Sequence, residues 1–237
     1  MKSMEGNQKF WRNVVAVISF AVGLMVAVNP AAQAASGNPN PGVLPIHSNA
    51  FGNSYGEWSA RWWQWVLSIP AGTGHCTEGQ TGKVWFGAGS FGVTGDDVCT
   101  IPAGTAVFLP LLNALFGAAV FDCEPTNPGV PCRESVLREA AAASMDSVEI
   151  EAEIDGVSLR NLTVYRMQSP LFSVTFSEDN IVGVPSGTYF PQVSDGYWLM
   201  VAPLSAGVHT VHVKGRITGG VFEGFEGEAT YIITVGR

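Results

Sequence analysis

Apolar and polar residues alternate strictly along the segment VEIEAEI, from Val148 to Ile154. A period of two is typical of a strand with one buried and one solvated face, so its glutamates are predicted to face solvent. The dipeptide that follows, Asp155-Gly156, is a strong signal for a two-residue hairpin turn. A turn of that length places Ile154 opposite Val157 and starts a second, antiparallel strand.

Further apolar segments, separated by turn residues, recur along the chain. They predict strands at residues 83–86, 98–101, 106–109, 162–167, 171–176, 197–202, 209–217 and 229–235. Short strands with a turn about every ten residues are typical of a sandwich or barrel. We therefore predict an all-β fold, an antiparallel β-sandwich of jelly-roll-like or immunoglobulin-like type with two accessory helices.

The two helices are predicted near residues 57–69 and 133–146. In the first, three tryptophans recur at the spacing of one helical face, and Pro70 follows as a helix breaker. The second contains a run of alanines and no glycine or proline, a composition that favours a helix.

Four of the chain's seven tryptophans lie in the first predicted helix. The three on the apolar stripe have a plain role in packing against the sheet. Trp63 lies toward the edge of that stripe, where an exposed indole ring would offer a platform for sugars or other flat apolar ligands. Glu57 and Arg61 are the expected polar contacts of such a ligand, and Trp85 is the expected second aromatic contact.

The N-terminal segment has the features of a signal peptide. Basic residues precede an uncharged apolar run at residues 14–28, and Ala32-Gln33-Ala34 matches a cleavage site. The run is shorter than the about 20 residues of a membrane-spanning helix, which favours a cleaved signal peptide, residues 1–34, over a membrane anchor. Residues 35–54 are predicted to be an extended lead-in, and residues 55–237 a single domain. The protein is accordingly expected to be secreted or periplasmic.

The composition restricts the possible partners. The chain has a formal net charge of −8, with 46% hydrophobic and 14% charged residues, which is typical of a well-packed globular protein. A negative surface repels phosphate backbones, so nucleic acid is not an expected partner.

The four cysteines are Cys76, Cys99, Cys123 and Cys132. An even number in an exported chain indicates disulfides, and four cysteines allow three pairings. We favour Cys76–Cys99 and Cys123–Cys132, because the second pair closes a proline-rich loop. The spacings match no common zinc motif, so no metal is expected; no other cofactor is expected either.

The sequence contains no G-x-S-x-G or H-E-x-x-H motif and no phosphate-binding glycine loop. His209 and His212 are three apart on a predicted strand and therefore point to opposite faces. A pair of carboxylates remains as a route to catalysis. Glu57 with Asp97 or Asp122 are the candidates, if they face each other at about 5–10 Å as in glycoside hydrolases.

Several longer segments resemble a family of exported bacterial and archaeal proteins. They are YGEWSARWWQW, GKVWFGAGSFG, CTIPAGTAVFLPLLN and DGYWLMVAPLSAGVHTVHVKG. The resemblance covers most of the chain after the signal peptide, and the tryptophan-rich segment is its most specific part. It implies export and a shared fold. It transfers no catalytic residue, because the family carries no established activity.

The function expected from the sequence is that of an exported, non-enzymatic binding or envelope-associated protein that recognises a glycan or another surface polymer through exposed tryptophan. The alternative is an extracytoplasmic carbohydrate-active hydrolase with paired carboxylates. A third hypothesis is a structural protein whose tryptophan-rich helix packs against a partner.

Overall fold

A computed structural model describes residues 40, 42–72, 75–91, 94–120 and 132–236. The predicted signal peptide and Cys123 lie outside these ranges, so export and the second disulfide stay predictions. In chain order the helices and strands are α1 (Tyr55–Ser68), β1 (Val84–Phe86), β2 (Thr94–Ile101), β3 (Ala106–Gly117), α2 (Glu134–Ser144), β4 (Val148–Ile154), β5 (Val157–Ser158), β6 (Arg166–Gln168), β7 (Phe172–Phe176), β8 (Gly187–Val201), β9 (Gly207–Ile217) and β10 (Glu226–Val235).

The strands form two five-stranded sheets, which confirms the predicted β-sandwich with two accessory helices. The first sheet has the order β1-β3-β8-β6, with β7 also pairing with β8, and the second has the order β2-β10-β9-β4-β5. The sheets approach each other closely, since a side chain at Gly215 of β9 would collide with Leu111 and Leu112 of β3. The hydrophobic core fills the space between them.

Both sheets are mixed rather than wholly antiparallel as predicted. β1 pairs with β3 and β2 pairs with β10 in parallel, whereas the other pairs are antiparallel. For β1 and β3 the cause is the connection between them, since the chain passes through β2, in the other sheet, before it returns to β3. A crossover of this kind brings a strand back in the same direction.

The predicted hairpin is confirmed in its register. Ile154 lies opposite Val157, and the turn residues Asp155 and Gly156 both have positive φ, as a type I′ turn requires. The strand predicted at residues 162–167 is wrong in its first part. Asn161 adopts a left-handed conformation, and a 3₁₀ turn, Leu162–Tyr165, precedes the short strand β6.

Strand β3 is much longer than the predicted residues 106–109, because Pro110 does not end it. The pairing of β3 with β8 shifts by one residue between Pro110 and Leu112, which is a β-bulge. The bulge leaves Leu111 without a partner. Phe108 faces the edge that β1 covers, since its carbonyl accepts from the Gly87 N–H. Pro110, two residues further, faces the same edge beyond the end of β1, where no described strand needs its N–H.

Helix α1 begins with a capping box. The Ser54 hydroxyl accepts a hydrogen bond from the Glu57 N–H at 3.3 Å, and the Glu57 carboxylate accepts one from the Ser54 N–H at 2.7 Å. The helix ends at Ser68, before Pro70. Both helices therefore lie where the sequence predicts them, with α1 starting two residues earlier because the cap precedes the apolar stripe.

The described part of the predicted lead-in packs onto the domain. Val43 forms an isolated bridge with Val201, and the Leu44 N–H donates to the Met200 carbonyl at 2.8 Å. The Asn40 amide, which is buried, donates to the Arg160 carbonyl at 2.7 Å. The folded unit therefore starts before residue 55.

The predicted disulfide between Cys76 and Cys99 is confirmed, with a Cα–Cα distance of 5.3 Å. It ties the loop after α1 to β2. Among the described residues, no helix combines the length and the apolar character that crossing a membrane requires.

A buried ion pair joins α2 to the first sheet. The Asp195 side chain, in β8, is 2% exposed, and its carboxylate accepts hydrogen bonds from Arg166 Nε at 2.8 Å and from Gln168 at 3.0 Å. The same guanidinium donates to Asp146 at 2.8 Å and to the Ala142 carbonyl at 2.7 Å. Arg166 is thus the link between the sheet and the end of the helix.

Replacing Arg166 with methionine is expected to lower the free energy of unfolding by about 3 kcal/mol, because Asp195 would keep a buried charge without its cation. Urea denaturation measures the change. Arg216→Met is the matched control: this arginine is half exposed and pairs with Glu149 and Glu226, so its loss is expected to cost less than about 1 kcal/mol. Equal losses for the two variants would contradict the role given to Arg166.

Candidate functional site

A cavity of about 310 Å³ lies beside β3, around residues 110–115. β1 covers β3 only from Ala106 to Phe108, and within the described residues β8 is the only strand that pairs with β3 beyond that point. The cavity therefore occupies the position that another strand would take next to β3. Its other walls are formed by α1, by the inner faces of β9 and β10, and by two loops.

This edge of β3 is poorly suited to accept another strand. Pro110 has no N–H to offer to a neighbour, and the bulge at Pro110–Leu112 distorts the ladder. Prolines and bulges are the devices by which edge strands avoid pairing with foreign chains. The space beside β3 thus suits a small molecule better than an added β-strand.

The cavity lining is almost wholly apolar. It includes the rings of Trp62, Trp63 and Phe91 on one side, and Val213 and Ile217 of β9 on the other. Apolar side chains also reach solvent at its margin: Val182 is 41% exposed, Phe222 37% and Phe225 40%. Among the described lining residues, Ser90 and Asn113 have polar side-chain groups other than indole, whereas the Glu228 carboxylate is turned to the outer face, where it pairs with His212 and Lys214.

Trp63 is not the exposed platform that the sequence suggested. It is 7% exposed, because α1 is covered on two sides. Its ring packs edge-on against Trp62, with centroids 4.9 Å apart, and against Phe91 at 6.4 Å. Trp63 nevertheless lies in the cavity wall.

The other three residues predicted to accompany Trp63 lie outside the cavity lining. Glu57 belongs to the capping box, and Arg61 lies over the Trp58 ring at 5.5 Å. Trp85 is buried in the core, where its indole N–H donates to the Cys76 carbonyl at 3.0 Å. The predicted constellation of four contacts is therefore not assembled, and of the four only Trp63 lines the cavity.

Trp63 also differs from its neighbours in its hydrogen bonding. The N–H groups of Trp58, Trp62 and Trp65 donate to backbone carbonyls at 2.7 to 2.8 Å. The Trp63 N–H is enclosed and has no acceptor among the described residues. Its ring can therefore turn without breaking a hydrogen bond, whereas the other three α1 tryptophans are each held by one.

The carboxylates give little support to a hydrolase. Hydrogen bonds from the backbone and side chain of Ser54 lower the pKa of Glu57, whereas a general acid needs a raised pKa. Asp97 lies on β2, away from the cap in which Glu57 is held, and Asp122 lies outside the described residues. Within the described ranges no three of the residue types Asp, Glu, His and Cys group closely enough to hold a metal ion.

The row of glutamates on β4 is part of a solvated face, as predicted. Glu149 lies opposite Arg216 and Glu151 opposite Lys214, both on β9. On the other side of β9, Glu228 of β10 pairs with Lys214 at 3.4 Å. Acidic and basic residues thus alternate from strand to strand, which balances charge locally and does not concentrate carboxylates for catalysis.

A serine, a histidine and an aspartate meet at the hairpin, which the sequence analysis missed. His209 Nδ1 lies 2.7 Å from Asp155 Oδ2, and His209 Nε2 lies 3.3 Å from the Ser205 hydroxyl. The spacing resembles a catalytic triad. However, Nε2 also lies 3.0 Å from the Ser205 carbonyl oxygen, which can only accept a hydrogen bond. Both ring nitrogens therefore donate, and a general base needs a free lone pair on Nε2.

This cluster is instead a stabilising contact of the hairpin. The hydrogen bond to Asp155 raises the pKa of His209 above its ordinary value of about 6.5. Burial opposes ionisation of Asp155, but the hydrogen bonds from His209 and Thr210 outweigh it and lower the pKa of Asp155. The charged pair is thus favoured in the folded state.

His209→Gln is expected to destabilise the protein most between about pH 4 and pH 6.5. The stabilisation from His209 is complete below its ordinary pKa and is lost as the pH rises through the raised pKa of the folded state. The stabilisation from Asp155 is lost as the pH falls through its lowered pKa. Urea denaturation across this range measures the difference from the native protein, with His47→Gln, at an exposed histidine, as the control. A difference that does not vary with pH would disprove the ion pair.

Comparisons of this chain with protein-family models, with curated proteins and with solved structures found no match. Its function is therefore inferred from its own geometry.

Proposed function

We propose that this chain is an exported, non-enzymatic binding protein whose ligand is a small apolar molecule held in the cavity beside β3. The observation that carries the proposal is the cavity itself. Its volume of about 310 Å³ is at the lower end of the range of about 300–1,000 Å³ that ligand sites occupy, and its lining is aromatic and aliphatic. The disulfide, the signal-like N-terminal sequence and the family resemblance support export.

Apolar side chains at the exposed margin of the cavity also support an apolar ligand. Phe222, Phe225 and Val182 each keep more than a third of their surface in water, although they lie beside a cavity that could shelter them. Contiguous apolar surface of this kind marks ligand-binding or interaction sites. A bound apolar molecule would shield it and gain free energy from the area removed from water.

An apolar ligand has better support than the glycan expected from the sequence. Sugars need an accessible ring face and several hydrogen-bonding partners. The tryptophans in the described ranges are all buried, and the lining offers few polar groups. The hydrolase alternative has less support still, since Glu57 is held by the helix cap.

Binding of the neutral fluorescent probe N-phenylnaphthylamine to the full chain tests the proposal. A saturable rise in probe emission is expected for the native protein. Ala114 is buried in the cavity wall, and Ala114→Phe would fill part of the cavity. We expect this change to weaken binding about tenfold or more, because overlap with the ligand costs at least about 1.4 kcal/mol.

Two further variants make the result specific. Phe225→Ser removes apolar surface at the exposed margin, where folding is not at risk, and is expected to weaken binding as well. Val208→Phe is the control, since Val208 is 66% exposed and is not part of the cavity lining. If all three variants bind the probe as the native protein does, the cavity is not the binding site and the proposal fails.

A further inference from the structure

We propose that the ligand of this cavity is uncharged and carries a single polar group, such as a hydroxyl or an amide, which hydrogen-bonds to the side chain of Asn113. This inference rests on the proposed function and specifies the chemical class of the ligand. It is carried by Asn113, by the glycine opposite it and by the charge of the lining.

Among the described lining residues Asn113 is the one amide side chain, and it interrupts an otherwise apolar strand, AVFLPLLNALFG. It is half-buried, whereas the other residues of β3 are buried. Its side chain makes no hydrogen bond to any residue in the described part of the chain. An amide that is partly removed from water and left unpaired costs free energy, and a leucine here would avoid that cost. The amide is therefore available to a ligand.

The residue opposite Asn113 explains why no protein group pairs with it. In the β3–β8 register its partner is Gly196, which has no side chain. A Cβ atom built on Gly196 would lie 2.4 Å from the Cβ of Asn113, so no larger residue fits without a shift of the strands. The neighbouring strand thus supplies close packing to the stem of Asn113 and no hydrogen bond to its amide.

The described lining residues offer no cation to an acidic ligand. Among them, Glu228 is the one ionisable residue. Its carboxylate lies on the outer face of the second sheet, where it pairs with His212 at 2.9 Å and with Lys214 at 3.4 Å. A carboxylate or phosphate group on the ligand would therefore leave water without gaining a charged partner in the described lining, and burial of an unpaired charge is costly.

Competition with the bound probe tests the inference with three molecules of one carbon skeleton, namely octanol, octane and octanoate. In the native protein at neutral pH, octanol is expected to displace the probe about three- to tenfold better than octane, the usual effect of one hydrogen bond. Octanoate is expected to compete most weakly. Asn113→Leu is expected to abolish the preference for octanol while octane competes as before.

Two control variants assign the effect to the named groups. Ser90→Ala removes the hydroxyl group of the lining and is expected to leave the preference for octanol intact. Glu228→Gln is expected to leave competition by all three molecules unchanged, because the Glu228 carboxylate lies on the outer face of the second sheet.

The outcomes separate this inference from the function it rests on. If neither octane nor octanol displaces the probe, the proposed function fails and the inference fails with it. If octane competes as well as octanol, if octanoate competes best, or if Ser90→Ala rather than Asn113→Leu removes the preference, then only the inference is overturned.

Discussion

The packing of Trp62 against the first sheet is the interaction on which the rest of the structure depends. Its ring lies edge-on to Trp198, with centroids 5.4 Å apart, and Trp198 is stacked on Phe108 at 5.2 Å. All three rings are buried. Large aromatic rings in such geometry contribute both burial and favourable ring contacts, so helix α1 is held firmly on the sheet.

The same residue also positions the loop that borders the cavity. The Trp62 N–H donates to the Gly87 carbonyl at 2.7 Å, and the ring stacks on Phe91, further along that loop. At its start this loop is also bonded to β3, because the Gly87 N–H donates to the Phe108 carbonyl at 3.1 Å. One indole group therefore fixes the helix, the loop and, through them, one wall of the cavity.

The sequence predicted those parts of the fold that depend on local pattern. The alternation in VEIEAEI and the turn at Asp155-Gly156 determine a hairpin, and the spacing of the tryptophans determines which face of α1 is buried. The full length of β3 could not be predicted, because Pro110 reads as a strand end unless the bulge is known. Pairing in parallel could not be predicted either, since it depends on which sheet each strand joins.

The cavity was beyond the reach of sequence analysis for a similar reason. Trp63, Asn113 and Phe225 are far apart in the chain and meet only in the folded molecule. The sequence singled out Trp63, which lines the cavity, but predicted that its ring is exposed. A helical wheel does not show that Phe91, in the loop after β1, packs against this ring. Asn113 could have been noticed as the only amide in a long apolar segment. That Asn113 lies opposite Gly196 depends on the register between β3 and β8, which only the structure shows.

The pairing of β2 with β10 has a consequence for the order in which this chain can fold. The two strands lie in register along eight residue pairs, although more than half of the domain separates them in sequence. Val43 likewise forms a bridge with Val201, at the end of β8. Proteins dominated by such long-range contacts fold slowly, because a large loop must close before either end gains stability. As the chain emerges from the ribosome, its second sheet therefore stays incomplete until β10 has been synthesised.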